Sequence, residues 1–454
     1  MRIIEQYKGI PLTIPSELIH GENCYTILTG KNGVGKSRLI SELAREYTER
    51  YSVGREEYVF HNHYKSVEQP KVIAVSTSPF DKFPLYRKRS DVYEISNYRY
   101  VGMRNTGGFG GASAVSLIAS AMAGLFEQLT LSGGYERLIQ VFDVLGFDPE
   151  VQFVFKLNIT STYTRERYEL NLDIGNELHD ILRDIGISLE PRVLESLEGL
   201  DRRSITEIAD AISFLTSFRD QQKMFSMEVD FSSSKRIFIN KKQFTDDILM
   251  RSISVLLKNN IIRVMDVRLH KHEFGAMSLR RASSGEQCML VIMLGIAGYI
   301  NDNSLVLIDE PEISLHPIWQ EKFTSLLIEV FSSYKGCQFI IATHSPQIVS
   351  NLNYSSCFVT SITKRKVYNS SKFASQSSDF QLAELFDAPG PKNEYITRLA
   401  FSLLSKVKKQ KFVYAEDEDK LEQLLNFVPE LKEDDAVLEL IFTIKEVMKF
   451  YASN

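Results

Sequence analysis

The sequence predicts an α/β fold: a mostly parallel sheet covered by helices, with a large helical insert and a C-terminal helical region. Three observations predict it. A short β-prone run from Asn23 to Thr29, carrying Cys24, Tyr25, Ile27 and Leu28, passes through a glycine-rich turn into helical spacing over Lys36 to Tyr51, set by Leu39, Ile40 and Leu43. Ser304 to Ile308 and Gln338 to Ala342 are continuous apolar runs, the pattern of parallel strands buried on both faces. Between them Trp319, Phe323, Leu326, Leu327 and Val330 recur at helical spacing. Strands that alternate with helices pair in parallel.

In chain order, the first strand, turn and helix are followed by a second strand, Lys71 to Val75, stopped by Ser-Thr-Ser-Pro. A long mixed region from about Asp91 to Lys258 comes next, and then the two strong strands. The last part changes character: helical patterns, a Pro389-Gly390-Pro391 break, a basic run and an acidic run. These shifts divide the chain into a lobe over 1–112, a mainly helical insert over 113–258, a second lobe over 259–378 and a helical assembly or partner region over 379–454. A composition of 44% hydrophobic and 24% charged residues excludes disordered and fibrous classes. The formal charge of -5 excludes a wholly basic nucleic-acid sleeve, so any such contact must be a local patch. Four scattered cysteines lack zinc-site spacing and read as reduced and structural. The N-terminus has no signal-peptide pattern, and the apolar stretches Ala112 to Phe126 and Cys288 to Ile300 are too short to cross a bilayer. They read as buried helices, and a cytoplasmic protein with no membrane partner is expected.

Gly30-Lys31-Asn32-Gly33-Val34-Gly35-Lys36-Ser37 fits G-x-x-x-x-G-K-[ST] between a strand and a helix, the context that motif requires. Its backbone N–H groups and the helix N-terminus would cradle phosphates, Lys36 would reach the β- and γ-phosphates of ATP, and Ser37 would hold Mg2+. The strand Leu305 to Ile308 runs into Asp309 and Glu310, at the strand end where such sheets bind ligands. Asp309 suits a Mg2+ partner and Glu310 the base that polarises an attacking water. Ser283-Ser284-Gly285-Glu286-Gln287 opens an apolar helix, and Thr343-His344-Ser345 follows a strand. Taken alone, these two are more often a helix cap and a structural histidine. Their order behind the phosphate loop selects the functional reading.

These four motifs, in this order, resemble the ABC/SMC-type P-loop ATPase heads shared by SMC, RecF and OLD-like proteins. Asp309 to Pro317 looks like the OLD-like branch, with His316 where transporters usually carry Asp. The resemblance implies a head-to-tail ATPase dimer in which Ser284 and Gly285 of one protomer cover the γ-phosphate on the other's loop, with His344 as a γ-phosphate contact. After the second strand, Ser76-Thr77-Ser78-Pro79-Phe80-Asp81 stands where the family has a glutamine, so the rate of hydrolysis stays open.

The stretch from Ser37 to Ser284 is too long for a transporter ATPase and has no heptads for an SMC arm, which leaves a compact insert. Glu416 to Asp419 run into a helix with no following Asp-x-Asp strand, so they read as helix-start acids and the chain is not expected to be a nuclease by itself. His61 and His63 read as a surface loop. Tyr86 to Arg89, Tyr93, Tyr98 to Tyr100 and Arg104 suit nucleic acid or a charged edge strand, which leaves DNA open as a partner. Gly107 to Gly111 read as a flexible loop first and a ligand loop second. In the tail, Val437, Ile441, Ile444, Met448 and Tyr451 form one apolar stripe and Leu440 and Val447 begin another, marking either an interface or a helix buried on both sides.

A head of this length with a helical tail resembles the PtuA family, the ATPase subunits of Septu antiphage systems, which also occur beside retron reverse transcriptases. The likeness lies in the four motifs, in Ser-Thr-Ser-Pro-Phe-Asp after the second strand and in the layout. It implies a homo-oligomer that holds an HNH nuclease subunit of the PtuB kind under nucleotide control. The competing reading is a RecF/SMC-like DNA-repair ATPase that binds DNA itself.

Overall fold

The computed structural model describes residues 3–48, 50–53, 70–85, 93–104, 114–130, 135–160, 182, 188–197, 200–217, 223–232, 236–239, 242–244, 247–272, 275–352 and 354–452. A seven-stranded sheet organises them: β1 (Cys24–Thr29), β2 (Val72–Ser76), β3 (Tyr98–Gly102), β4 (Leu305–Asp309), β5 (Gln338–Ala342), β6 (Cys357–Ser361) and β7 (Lys366–Asn369), in the order β7-β6-β1-β5-β4-β2-β3. Every pair is parallel except the β6–β7 hairpin. Register aligns the ends: Ala342 lies opposite Leu28 and Asp309, and Asp309 opposite Ser76. Whatever follows β1, β2, β4 and β5 therefore emerges along one edge.

The strands alternate between two cores. Ile27, Ile73, Val75, Val306, Ile308 and Ile341 belong to the larger core, whereas Leu28, Ala74, Leu305, Leu307 and Ile340 pack with Leu39, Ile40 and Leu43 of helix α1 (Lys36–Glu46). The first helix ends earlier than its spacing suggests, because Arg50–Val53 is a strand that pairs with Tyr93–Ser96. On the larger-core side lie α2 (Ala114–Thr130) and α3 (Ser284–Ala297), the two apolar stretches expected as buried helices. The helix between β4 and β5 is α4 (Pro317–Val330).

The span 113–258 does carry helices, but it differs from a helical insert in one respect. Phe147–Leu157, Met224–Asp230, Arg236–Ile239 and Lys242–Phe244 join Ile262–Lys271 and Gly275–Ser278 in a six-stranded antiparallel sheet. Alternate burial of Val151, Phe153, Phe155 and Leu157 makes this a one-face sheet, and its core is continuous with that of the parallel sheet. A boundary at 258, the end of a helix, separates Phe147–Leu157 from its partner strand Ile262–Lys271.

Beyond β7 the chain forms α5 (Ser378–Glu384), α6 (Glu394–Gln410), α7 (Ala415–Phe427) and α8 (Ala436–Ala452); α6, α7 and α8 share a separate core that Ala383 of α5 joins, while Leu385 and Phe386 belong to the larger core. The acids at the start of α7 cap it: Asp417 accepts the Tyr414 N–H (3.1 Å) and pairs with Lys406 (2.6 Å). Val437, Ile441, Ile444 and Met448 of α8 lie inside that core, with Leu440, Val447 and Tyr451 packed against it. Both stripes are thus spent within the tail, as for a helix buried on two sides. All four cysteines are reduced and buried. No described helix is long and apolar enough to cross a membrane.

Candidate functional site

The phosphate loop leaves β1 at Gly30 and enters α1 at Lys36. Gly30 has φ 139°, and a Cβ there would come within 2.9 Å of Thr363 Oγ1, so only glycine fits. Gly35 is the left-handed cap of α1 at φ 100°. Asn32 and Gly33 are exposed at the tip, and Val34 N–H closes the turn on Lys31 O (3.3 Å). The buried Lys36 Nζ donates to Gly30 O (2.8 Å) and Lys31 O (3.3 Å) and lies 3.2 Å from His344 Nδ1. Burial pushes its ammonium down to about 8, although Glu312, Glu310 and Asp309 pull the other way.

Asp309 ends β4 with 2% of its surface exposed. Burial above all, then the neighbouring Glu310, Asp81 and Glu312, raises its carboxyl to about 7 against the lowering effect of the Ser37 hydroxyl. Its Oδ1 is buried with no hydrogen-bond partner. Such an atom is costly unless something else binds it, and a hard cation beside Ser37 fits that need. No group of three or more His, Cys, Asp or Glu among the described residues could hold a metal alone, so Mg2+ here would need ligands from phosphate and water.

Glu310 follows in a left-handed conformation, φ 47° and ψ 54°. For a non-glycine residue this costs about 1–3 kcal/mol. Its N–H donates to Ala342 O (2.9 Å), and its carbonyl accepts the Thr77 hydroxyl (3.3 Å). The turn brings Glu310 Oε1 to 3.6 Å from His344 Nε2. Burial, and then the charge of Lys36, lowers the His344 imidazole to about 4. The ring is therefore neutral. Since Nδ1 faces the Lys36 ammonium, the ring proton sits on Nε2, toward Glu310. Lys36, His344, Glu310, Asp309 and Ser37 thus converge along one edge of the sheet.

Ser284 and Gly285 lie elsewhere. Ser283 caps α3 by accepting the Glu286 N–H, Ser284 is the first helical residue, and a Cβ on Gly285 would meet His316 N and Trp319 Cδ1 at 3.1 Å. The neighbours of Gly285 belong to α4 and its cap, not to the phosphate loop. His316 is itself the cap of α4, its Nδ1 accepting the Ile318 N–H (3.4 Å), as an aspartate oxygen would.

Two site residues carried no signal of their role. Glu312 Oε1 accepts the His344 backbone N–H at 2.5 Å, and its Oε2 is buried without a partner. Burial raises its carboxyl, His344 N–H working against that. Its only trace is the third acid of Asp309-Glu310-Pro311-Glu312. Asp81 closes the segment that replaces the expected glutamine. It accepts the Tyr100 hydroxyl (2.7 Å), the Phe83 N–H (3.0 Å) and the Arg104 guanidinium (Nε 2.9 Å). Tyr100 and Arg104, offered for nucleic acid, are therefore spent internally. His61, His63, Tyr86 to Arg89 and Gly107 to Gly111 lie outside the described residues, as does the Tyr93 side chain.

A phosphate loop, an acid-tipped strand and a histidine at one edge of a parallel sheet define a P-loop ATPase domain. The chain belongs to the family described as "AAA domain, putative AbiEii toxin, Type IV TA system", matched over residues 113–350, just over half of its length. That match takes in Ser284, Gly285, Asp309, Glu310 and His344 and begins beyond the phosphate loop. The chain is 29% identical over 191 residues to "Retron Ec83 probable ATPase" of Escherichia coli, covering 38% of this chain and 33% of that protein. It is 34% identical over 91 residues to "Protein ea59" of Escherichia phage lambda, covering 20% and 17%. The chain therefore spans a third or less of these relatives.

Proposed function

We propose that the chain is the regulatory ATPase of a PtuA-like antiphage complex, binding MgATP, assembling through head-to-tail dimers and controlling an HNH nuclease. The observation that carries the nucleotide reading is the convergence of Lys36, Ser37, Asp309, Glu310 and His344 on one edge; the likeness to a retron ATPase supports the defence setting. The loop N–H groups and Lys36 would hold the phosphates, and Ser37 and Asp309 the Mg2+. Bound there, the cation would offset phosphate charge. Glu310 is placed to take a proton from water, and neutral His344 to donate from Nε2 to a phosphoryl oxygen. Ser284 and Gly285, at the start of α3, would cover the γ-phosphate on a partner's loop. Phe80, Ile313 and Ile318, exposed around this face, would be buried by that partner.

Purification with the products of neighbouring genes tests the reading. An HNH nuclease should co-elute, and its activity should differ between wild type and Lys36→Ala, which loses the phosphates' point charge and hence ATP binding. ATP turnover by the lone chain that DNA ends accelerate, with no nuclease partner, would instead favour the RecF-like reading. The internal pairing of Tyr100 and Arg104 with Asp81 weighs against that alternative.

A further inference from the structure

A cavity of about 330 Å3 lies where the tail meets the phosphate loop. One side is Lys31 of the loop and the turn after β6, with Thr363 and Lys364; the other is the tail, with Asp387, Asn426, Phe427 and Glu430. The sheet order fixes which end of a nucleotide could reach it. Asp309, Glu310 and His344 follow β4 and β5, on one side of β1, so the terminal phosphate belongs on that side. The turn lining the cavity follows β6, the neighbour of β1 on the opposite side. A nucleotide lying across the loop therefore carries its nucleoside toward the cavity.

The lining agrees. Both lysines are already paired, Lys31 with Glu430 and Lys364 with Asp387 (3.2 Å) and the Glu384 carbonyl (2.6 Å), so the cavity has no cation to spare for a further phosphate. Asp387 Oδ2 is buried with no hydrogen-bond partner, an acceptor suited to a hydroxyl or amine. Asn426 is exposed and presents both a donor and an acceptor, and the buried Phe427 supplies an apolar wall. The volume is at the small end for ligand pockets, about 300 Å3 and upward, which suits a nucleoside.

We propose that this cavity holds the purine and ribose of a nucleotide whose phosphates lie on the loop, so that the tail forms half of the nucleotide site. The inference rests on the nucleotide reading above. Calorimetric titration of the full chain with ATP, GTP and inorganic tripolyphosphate tests it. Wild type should bind ATP at least tenfold more tightly than tripolyphosphate and should distinguish ATP from GTP. Asn426→Ala, on an exposed helix end, and Asp387→Asn, which keeps a residue tolerant of φ 49°, should each lose that advantage while tripolyphosphate affinity stays unchanged. Retained tripolyphosphate binding also shows that the variants are folded. Equal affinity of wild type for ATP and tripolyphosphate, or full ATP preference in both variants, overturns the cavity assignment and leaves the phosphate site standing. Binding of neither ligand by wild type overturns both.

Discussion

Lys36 and Asp309 are both buried at the same edge of the sheet and are displaced toward neutrality from opposite directions. A bound phosphate favours the ammonium form of Lys36, so that contribution is present below about pH 8 and is lost as pH rises through it. Mg2+ needs ionised Asp309, so the metal contribution appears as pH rises through about 7 and is lost below it. MgATP affinity should peak between these values and fall by up to about tenfold per pH unit on either side. Titrations without Mg2+, or of Asp309→Asn, should show only the alkaline limb. An acidic limb that survives Asp309→Asn would reject Asp309 as the metal partner. Glu310→Gln should leave ATP affinity within about twofold but slow turnover about 100-fold or more, the scale for losing a positioned base. Equal single-turnover rates would mean that Glu310 only shapes the turn. The identities of these residues were legible because each ends a motif with a fixed chemistry. Glu312 was not, since its role is a hydrogen bond to the backbone of His344, a residue distant in sequence that only the β4–β5 pairing brings near.

At the scale of elements, the contact between α2 and α3 fixes the insert to the sheet. Ala121 and Gly124 of α2 face Gly295 of α3 and Gly298, its cap. A Cβ at Gly298 would stand 2.6 Å from the backbone of Gly124 and Leu125. Backbone cannot yield as a flexible side chain can, so Gly298→Ala should destabilise by about 1–3 kcal/mol, as overpacking does. Because the two sheets share a core, urea unfolding should still show one transition, moved to lower concentration, for the region up to β7. An unchanged midpoint would show that the helices can part freely. Of the parallel strands, β1, β2, β4 and β5 were readable as apolar runs, and their edge as the place where motifs end; β6 (Cys357–Ser361) was not read. The antiparallel sheet was not: Phe147–Leu157 alternates visibly, but it pairs with Met224–Asp230 and Ile262–Lys271, and pairing between segments so far apart leaves no local trace.

At the scale of the molecule, α6, α7 and α8 are separately cored and meet the head through Leu385 and Phe386 of the larger core and through the Lys31–Glu430 and Lys364–Asp387 pairs. The heptad-like spacing of α8 located its core but could not say whether a neighbouring helix or another chain filled it; α6 and α7 fill it. A partner must therefore use what remains exposed, and Phe401, Phe412, Phe442 and Phe450 are each more than half exposed or close to it. Ile441 is fully buried, so Ile441→Asp puts a charge into an apolar core at a cost of several kcal/mol and should unfold the tail. Phe442→Ser with Phe450→Ser should leave stability within about 0.5 kcal/mol, as exposed substitutions do. The double variant should stay folded by circular dichroism, yet lose assembly in light scattering or the nuclease in a pull-down. Ile441→Asp should lose these too, together with the ATP advantage over tripolyphosphate, because its unfolding removes Asn426 and Phe427 from the cavity. Tripolyphosphate binding at Lys36 should survive in both variants, since the head keeps its own cores. A folded double variant that assembles and binds its partner as wild type does would take the aromatic face out of the interface.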